Sequence, residues 1–386
     1  MTNTERYSNR KVEGLNTPDE FMICNLSEYI EYFSSGEFTN YLFRGEPTNY
    51  NETVSSALRD ITIPGYNPKQ GVKNENTFLN MQKDFKREVW YKLTPDERTH
   101  FSAFSQHHGI PTNLIDITTS PLVSLYFACQ DYKNPKDQNK FQFDEQRGFV
   151  YLFKDQFVDI TNVLTKFEDA NILEIFASDK DDVFLDIYNL FLKFKAEHPE
   201  AYYEYFKKLY IEFHKHFENF PAFIPMMKLN EFPVYDEGRY EIKFFEYFMR
   251  LLESSRFNKF FTKIHDNSYS VFIYTAHLQI LLQNIDSMPN QGTLLNILPH
   301  FKYAPILTFE RGRSQQGLFV YQNYIQEGKF LNPPYIVSVQ RIWPDKILII
   351  DDKINILNQL DFIGINEKFI YGDYDNIAKY IKRRSQ

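Results

Sequence analysis

From residue 184 to residue 220 the chain reads FLDIYNLFLKFKAEHPEAYYEYFKKLYIEFHKHFENF, with no glycine and a single proline, Pro199. A run of Phe, Tyr, Lys and Glu so poor in breakers is helical. Pro199 divides it into two helices, since a proline inside a helix removes a donor and clashes with the turn before it. Residues 240–285 carry a second helical block, EIKFFEYFMRLL and then VFIYTAHLQILLQ. Strand-like segments lie on both sides of these blocks. Any sheet must therefore be assembled across a helical insertion. That predicts an α+β fold in three segments: 20–165, a helical insertion at 166–295, and 296–386.

Local patterns fill in the flanks. Residues 1–18 are polar and read as loose. Residues 28–33 read as a helix with Ser27 as N-cap, and residues 41–43 as a short strand ending in Arg44-Gly45-Glu46. Phe78, Met81, Phe85 and Val89 recur at spacings of three and four, which makes residues 77–90 an amphipathic helix. Residues 100–108 form another, stopped by Gly109-Ile110-Pro111. Residues 114–117 are a strand, Pro121 opens a helix continuing to Tyr132, and residues 148–153 are an apolar strand. Further on, residues 305–309, 317–321, 335–341 and 368–371 read as strands, and 343–350 as a strand or a helix entry. Residues 355–360 and 373–382 read as helices. No internal repeat is visible.

Composition narrows the function classes. The aromatic share is 17%, with 38 Phe and 27 Tyr. Bulky core packing is the plainer reading of these rings, and a stacking surface for a flat ligand the sharper one. For the insertion, a subdomain core is favoured over a protein-partner surface, which an exposed aromatic stripe would indicate. The net charge is -8, from 43 basic and 51 acidic residues. This argues against nucleic acid as a nonspecific partner, because such binding rests on clustered positive charge. The basic tail KYIKRRSQ reads as a solvated helix end, with cations where the helix dipole favours them. Cys24 and Cys129 sit in apolar stretches and read as buried thiols; without a CxxC they form no cysteine zinc site. The adjacent His107 and His108 diverge on a regular element, and His214 and His216 face different sides of a helix, so no metal is expected. The opening MTNTERYSNRKVEG lacks the apolar core of a secretory signal. No stretch approaches the roughly 18 apolar residues of a spanning helix. The expected location is the cytoplasm, with no membrane partner.

Polar chemistry gathers at three places. In YLFRGE, an arginine ends an apolar strand; Arg grips phosphate or carboxylate bidentately, and Gly45 permits close approach of a ligand or backbone. The plainer reading pairs Arg44 with Glu46. The stretch QHHGIPTNLIDITTSPLVSLYFA concentrates Gln106, His107, His108, Asp116, Thr118, Thr119 and Ser120. It holds the residue types of a Ser-His-Asp hydrolase, but no GxSxG surrounds Ser120. Thr118-Thr119-Ser120 reads as the N-cap of the Pro121 helix, and a capped helix start also offers N–H groups to an anion. The third stretch, ERGRSQQGLF from Glu310, puts two arginines, Gln315 and Gln316 before a strand. A Walker A loop and a GxGxxG are both missing.

Together these stretches resemble the FRG domain family, named for its Phe-Arg-Gly motif, here Phe43-Arg44-Gly45. The family's second signature is similar to QHHGIPTNLIDITTSPLVSLYFA, with Ser124 where Ala is frequent, and its third to Gln315-Gln316-Gly317-Leu318-Phe319. The tail LNQLDFIGINEKFIYGDYDNIAKYI is similar to its closing segment. The resemblance covers about 25–155 and 295–382. It implies a mixed or antiparallel β core similar to ADP-ribosyltransferases of the R-S-E type. There an Arg holds an NAD phosphate or ribose, a Ser-Thr-Ser strand shapes the nicotinamide pocket, and a later Glu stabilises the oxocarbenium-like state. The order Arg44, Thr118-Thr119-Ser120, Gln315-Gln316 follows that layout. It implies NAD as substrate, Arg44, His107, His108, Asp116 and Gln316 as catalytic candidates, and Glu46, Gln106, Thr118, Thr119, Ser120 and Gln315 as ligand contacts. Glutamine stands where that layout has glutamate, and an amide carries no charge; Glu310 or Asp116 is left to supply it.

Three functions compete. The resemblance implies an ADP-ribosyltransferase or NAD glycohydrolase, in the setting of bacterial phage defence. A nuclease or other hydrolase would use Asp116 and His108 with Glu46. A ligand-sensing or interaction module would bind and break no bond.

Overall fold

The structure, a computed structural model, describes residues 17–34, 36–50, 53–59, 76–132, 146–167, 171–216, 255–261, 263, 268–288, 291–307, 310–327 and 335–385. The helix expected over the 240–254 stretch, the first 16 residues and the side chains of His214 and His216 lie outside the described residues. The strands are β1 (Asp19–Ile23), β2 (Tyr41–Glu46), β3 (Leu114–Thr118), β4 (Gly148–Lys154), β5 (Val158–Asp159), β6 (Phe301–Tyr303), β7 (Gly317–Tyr321), β8 (Tyr324–Glu327), β9 (Tyr335–Val339) and β10 (Lys346–Ile350). Eight of them form a sheet in the order β1-β10-β4-β2-β3-β7-β6-β5, and β8 pairs with β9 separately. The β1–β10 and β5–β6 pairs are parallel and the others antiparallel. The fold is α+β with a mixed sheet, and no described helix is long and apolar enough to cross a membrane.

β4 is central because its sequence permits nothing else: GFVYLF is buried at every residue, as suits a strand covered on both faces. On one face, Phe43, Val150, Leu152 and Leu348 pack against the helices Leu26–Phe33, Pro121–Ala128 and Lys353–Phe362. From β3 outward, Leu114, Phe319 and Tyr321 join the core of the insertion instead. A third cluster holds Leu42, Ile115, Tyr151, Val320 and Ile349 together, so it spans both halves of the sheet.

The insertion leaves after β5 and returns at β6, and those two strands lie side by side. Its main helices are Asp181–Glu197, Pro199–His216 and Tyr269–Asn284. The break falls at His198, as Pro199 requires. Tyr269–Asn284 is buried at every position from Ser270 to Leu282, which makes it the central helix of the bundle. Phe184, Phe191, Tyr202, Phe206 and Tyr274 are all interior, and Phe184 stacks on Phe260 at 4.2 Å. Among the described residues, these aromatic rings of the insertion form a core.

Several local expectations are corrected. The first helix begins at Leu26, and Asn25, not Ser27, caps it by accepting from the Glu28 N–H. The Pro121 helix ends at Ala128, short of Tyr132. The strand expected at 305–309 is β6, which finishes before Pro305. Residues 367–371 form a helix, Glu367–Tyr371, in place of a strand. Cys24 is exposed, while Cys129 is buried and burial pushes its thiol up to about 12.

Candidate functional site

The sheet is weakest where its two halves meet. β2 and β3 share a single ladder pair, Phe43 with Thr118. Past that pair the strands part, and the Arg44 side chain spans the gap. Its terminal N–H donates to the Asp116 carbonyl at 2.8 Å, and its Nε donates to Glu46 Oε1 at 2.9 Å. Glu46 is 2% exposed and also accepts from the Thr53 hydroxyl at 3.3 Å. A buried carboxylate needs its cation, so the pair expected as the plainer reading is present and holds Arg44 in place.

Gly45 serves the backbone. A Cβ there would lie 1.8 Å from the Ser124 carbonyl oxygen, and one at Gly148 would lie 2.1 Å from that of Ala128. The Pro121–Ala128 helix therefore rests directly on β2 and β4. Ser120 caps it, accepting from the Val123 N–H at 3.3 Å.

A cavity of about 280 Å³ opens at this seam. That is near the lower end of small-molecule sites, about 300 Å³. Phe43, Val123, Phe127 and Phe319 give it apolar walls, and Arg44, Gln106, His107, Asp116, Arg311 and Gln315 give it polar ones. Each of the three motif stretches contributes. Gln106, at the end of the helix Phe101–His107, donates to Asp116 Oδ1 at 2.8 Å. Its carbonyl oxygen accepts from the Thr112 hydroxyl. The left-handed turn at Gly109, φ +83°, brings helix and strand together for this contact.

The two histidines separate. His107 faces the cavity. Burial above all, then the His108 ring and the Arg311 guanidinium, hold its pKa down to about 4 against Asp373, which raises it. It is therefore neutral near pH 7. His108 is exposed and packs on Phe104, with ring centroids 4.4 Å apart, and on Phe85. It is not among the residues lining the cavity, whereas Asp116 is.

The remaining candidates divide in the same way. Thr118 lines the cavity, and its hydroxyl donates to the Gln315 carbonyl at 2.7 Å. Thr119, Ser120, Gln316 and Glu46 lie outside the lining. Gln316 occupies an exposed turn at φ +46°, where its carbonyl oxygen accepts from the Thr119 hydroxyl at 3.2 Å. Gln315 is the amide that reaches the cavity, and it also donates to the Ile370 carbonyl at 3.2 Å. Glu310 is exposed and off the lining. Asp116 is the one acid among the described lining residues. Sequence reasoning did not name Arg311 or the walls Phe43, Val123, Phe127 and Phe319 as site residues, although ERGRSQQG and the motif stretches contain them. Among the described residues, no group of three His, Cys, Asp or Glu is placed to hold a metal.

Residues 39–137 match the family model described as the FRG domain. That span contains β2, β3 and the first two motifs; Arg311 and Gln315 fall beyond it. No curated protein and no solved structure matches the chain.

Proposed function

The chain carries an FRG domain, and from that premise we propose that its cavity binds a nucleotide of the NAD type and cleaves it at the nicotinamide. The observation that carries this reading is convergence: stretches beginning near residues 43, 106 and 311 line one cavity. Arg44 offers guanidinium donors to a phosphate or ribose, with Glu46 fixing their direction. Phe43, Phe127 and Phe319 suit a flat ring. Gln106 and Gln315 offer hydrogen bonds to ribose hydroxyls. Asp116 supplies the negative charge that Gln315 and Gln316 lack, stabilising the cationic sugar as the bond to nicotinamide breaks. The neutral His107 ring accepts the proton released by an attacking water or acceptor hydroxyl. On this reading the chain is a transferase or NAD glycohydrolase with an ADP-ribosyltransferase-like fold, acting in bacterial defence.

Calorimetric titration with NAD, alongside a nicotinamide-release assay, tests this. The wild type is expected to bind and to release nicotinamide. Asp116→Asn is expected to bind within about threefold of wild type and to lose about 100-fold or more in turnover, the scale of one electrostatic group. A folded wild type that does not bind NAD contradicts the proposal. Binding without release leaves a ligand-sensing module.

A further inference from the structure

The least explained group in the cavity is Arg311. It stands on the short helix Glu310–Ser314, half-buried, with its guanidinium 5.0 Å from the Tyr371 ring centroid. Among the described residues its side chain has no ion pair or hydrogen bond. Its neighbours differ. Arg313, exposed on the same helix, donates to the Leu307 carbonyl at 3.1 Å. Arg44 is held by Glu46 and the Asp116 carbonyl.

No acid among the described residues is paired with Arg311. Asp373 caps the last helix, accepting from the Asn376 N–H at 2.9 Å and its amide at 2.6 Å. Glu367 pairs with Arg383 at 3.5 Å. Glu310 lies along Gly372, where a Cβ would meet its Cγ at 3.1 Å. Asp116 is tied to Gln106. A half-buried guanidinium with unused donors, in a cavity that already holds a second one, is arranged for an anion from outside the chain.

We infer that Arg311 is the second anion-binding group of the cavity, and that its ligand is a phosphate or pyrophosphate ester. This rests on the nucleotide reading above and deepens it. Tyr371 acts as a positioning residue, holding the guanidinium over its ring. The depressed pKa of His107 gives an independent readout, because Arg311 is one of its causes. An anion that neutralises Arg311 should let the His107 pKa rise from about 4, so ligand binding takes up protons at acid pH, just above that value.

The test is calorimetric titration of wild type, Arg311→Ala and Arg311→Lys with ADP, adenosine and inorganic pyrophosphate, with NAD in parallel. Wild type should bind ADP at least about tenfold more tightly than adenosine. Arg311→Ala should lose about tenfold or more in ADP affinity with adenosine unchanged, and Arg311→Lys should fall between. An NMR titration of the wild-type His107 ring should show its pKa rising on saturation with ADP, which needs no variant to fold. Equal wild-type affinities for ADP and adenosine overturn the inference, as does unchanged ADP affinity in Arg311→Ala. NAD binding insensitive to Arg311→Ala overturns it while the nucleotide reading stands. Pyrophosphate bound through Arg311 without NAD binding sinks that reading and keeps the inference. Binding of none of the four probes overturns both.

Discussion

Arg44 is the residue on which the seam between β2 and β3 depends, and its role is structural before it is chemical. Its guanidinium satisfies a carbonyl that a longer ladder would have paired, and neutralises a carboxylate that is 2% exposed. Arg44→Ala therefore leaves the buried Glu46 carboxylate without the Arg44 guanidinium. We expect a loss of about 3 kcal/mol in denaturant unfolding, and partial recovery when Glu46→Gln is added. A fully stable single variant would show that Glu46 does not need the pair. For this reason Arg44→Ala cannot report on binding alone, whereas Arg311 and Asp116 substitutions can. His107 gives the second residue-scale prediction. Its folded pKa of about 4 lies below its usual 6.5, so the unfolded chain binds the extra proton between those values. Stability is then unpenalised by this group above pH 6.5 and declines as pH falls toward 4. His107→Gln should flatten part of that decline; an unchanged pH profile would show that His107 titrates normally.

Elements are fixed by a few close approaches. The Pro121–Ala128 helix lies so near β2 and β4 that neither Gly45 nor Gly148 tolerates a Cβ, with contacts of 1.8 and 2.1 Å to carbonyl oxygens. Gly45→Ala should cost at least about 2 kcal/mol by displacing backbone rather than a flexible side chain; thermal unfolding near wild type would contradict this. At this scale the sequence was most legible where a pattern was long. The Pro199 break, the central helix Tyr269–Asn284 and the strand β4 each announce themselves through breakers or continuous apolar runs. Short elements were not legible. The four-residue stretch KFIY has no period that separates strand from helix, and Asn366 capping decides for helix by accepting from the Phe369 N–H. β6 lies just upstream of the place expected, because Pro305 has no N–H to pair. The edge strand β1, DEFMI, gives no alternation and was not anticipated. Its pairing with β10 comes from tertiary contact. The site followed the same rule. Motif residues on regular elements, Arg44, Gln106 and Asp116, line one cavity. Choices between adjacent residues, His107 or His108 and Gln315 or Gln316, turned on a helix face and a turn with φ +46°, which only the folded chain sets.

For the whole molecule, the insertion and the sheet share one apolar interior. Phe301, Tyr303, Phe319 and Tyr321 of the sheet belong to the same cluster as Phe184, Tyr202 and Tyr274 of the helices. Replacing 166–295 with a short linker would uncover that face of β6 and β7. We expect a chain with no cooperative unfolding transition; a well-folded product would show two independent cores. β7 also carries the cavity wall at Phe319, and none of the described residues of the insertion is in the lining, so those residues support the site from behind. The central claim is that segments far apart in sequence form one ligand site, and hydrogen–deuterium exchange with and without saturating NAD tests it most directly. The account predicts slowed exchange at 43–46, 106–118 and 311–319 together, with the insertion helices unchanged. No change anywhere, or protection confined to 181–284, would contradict it.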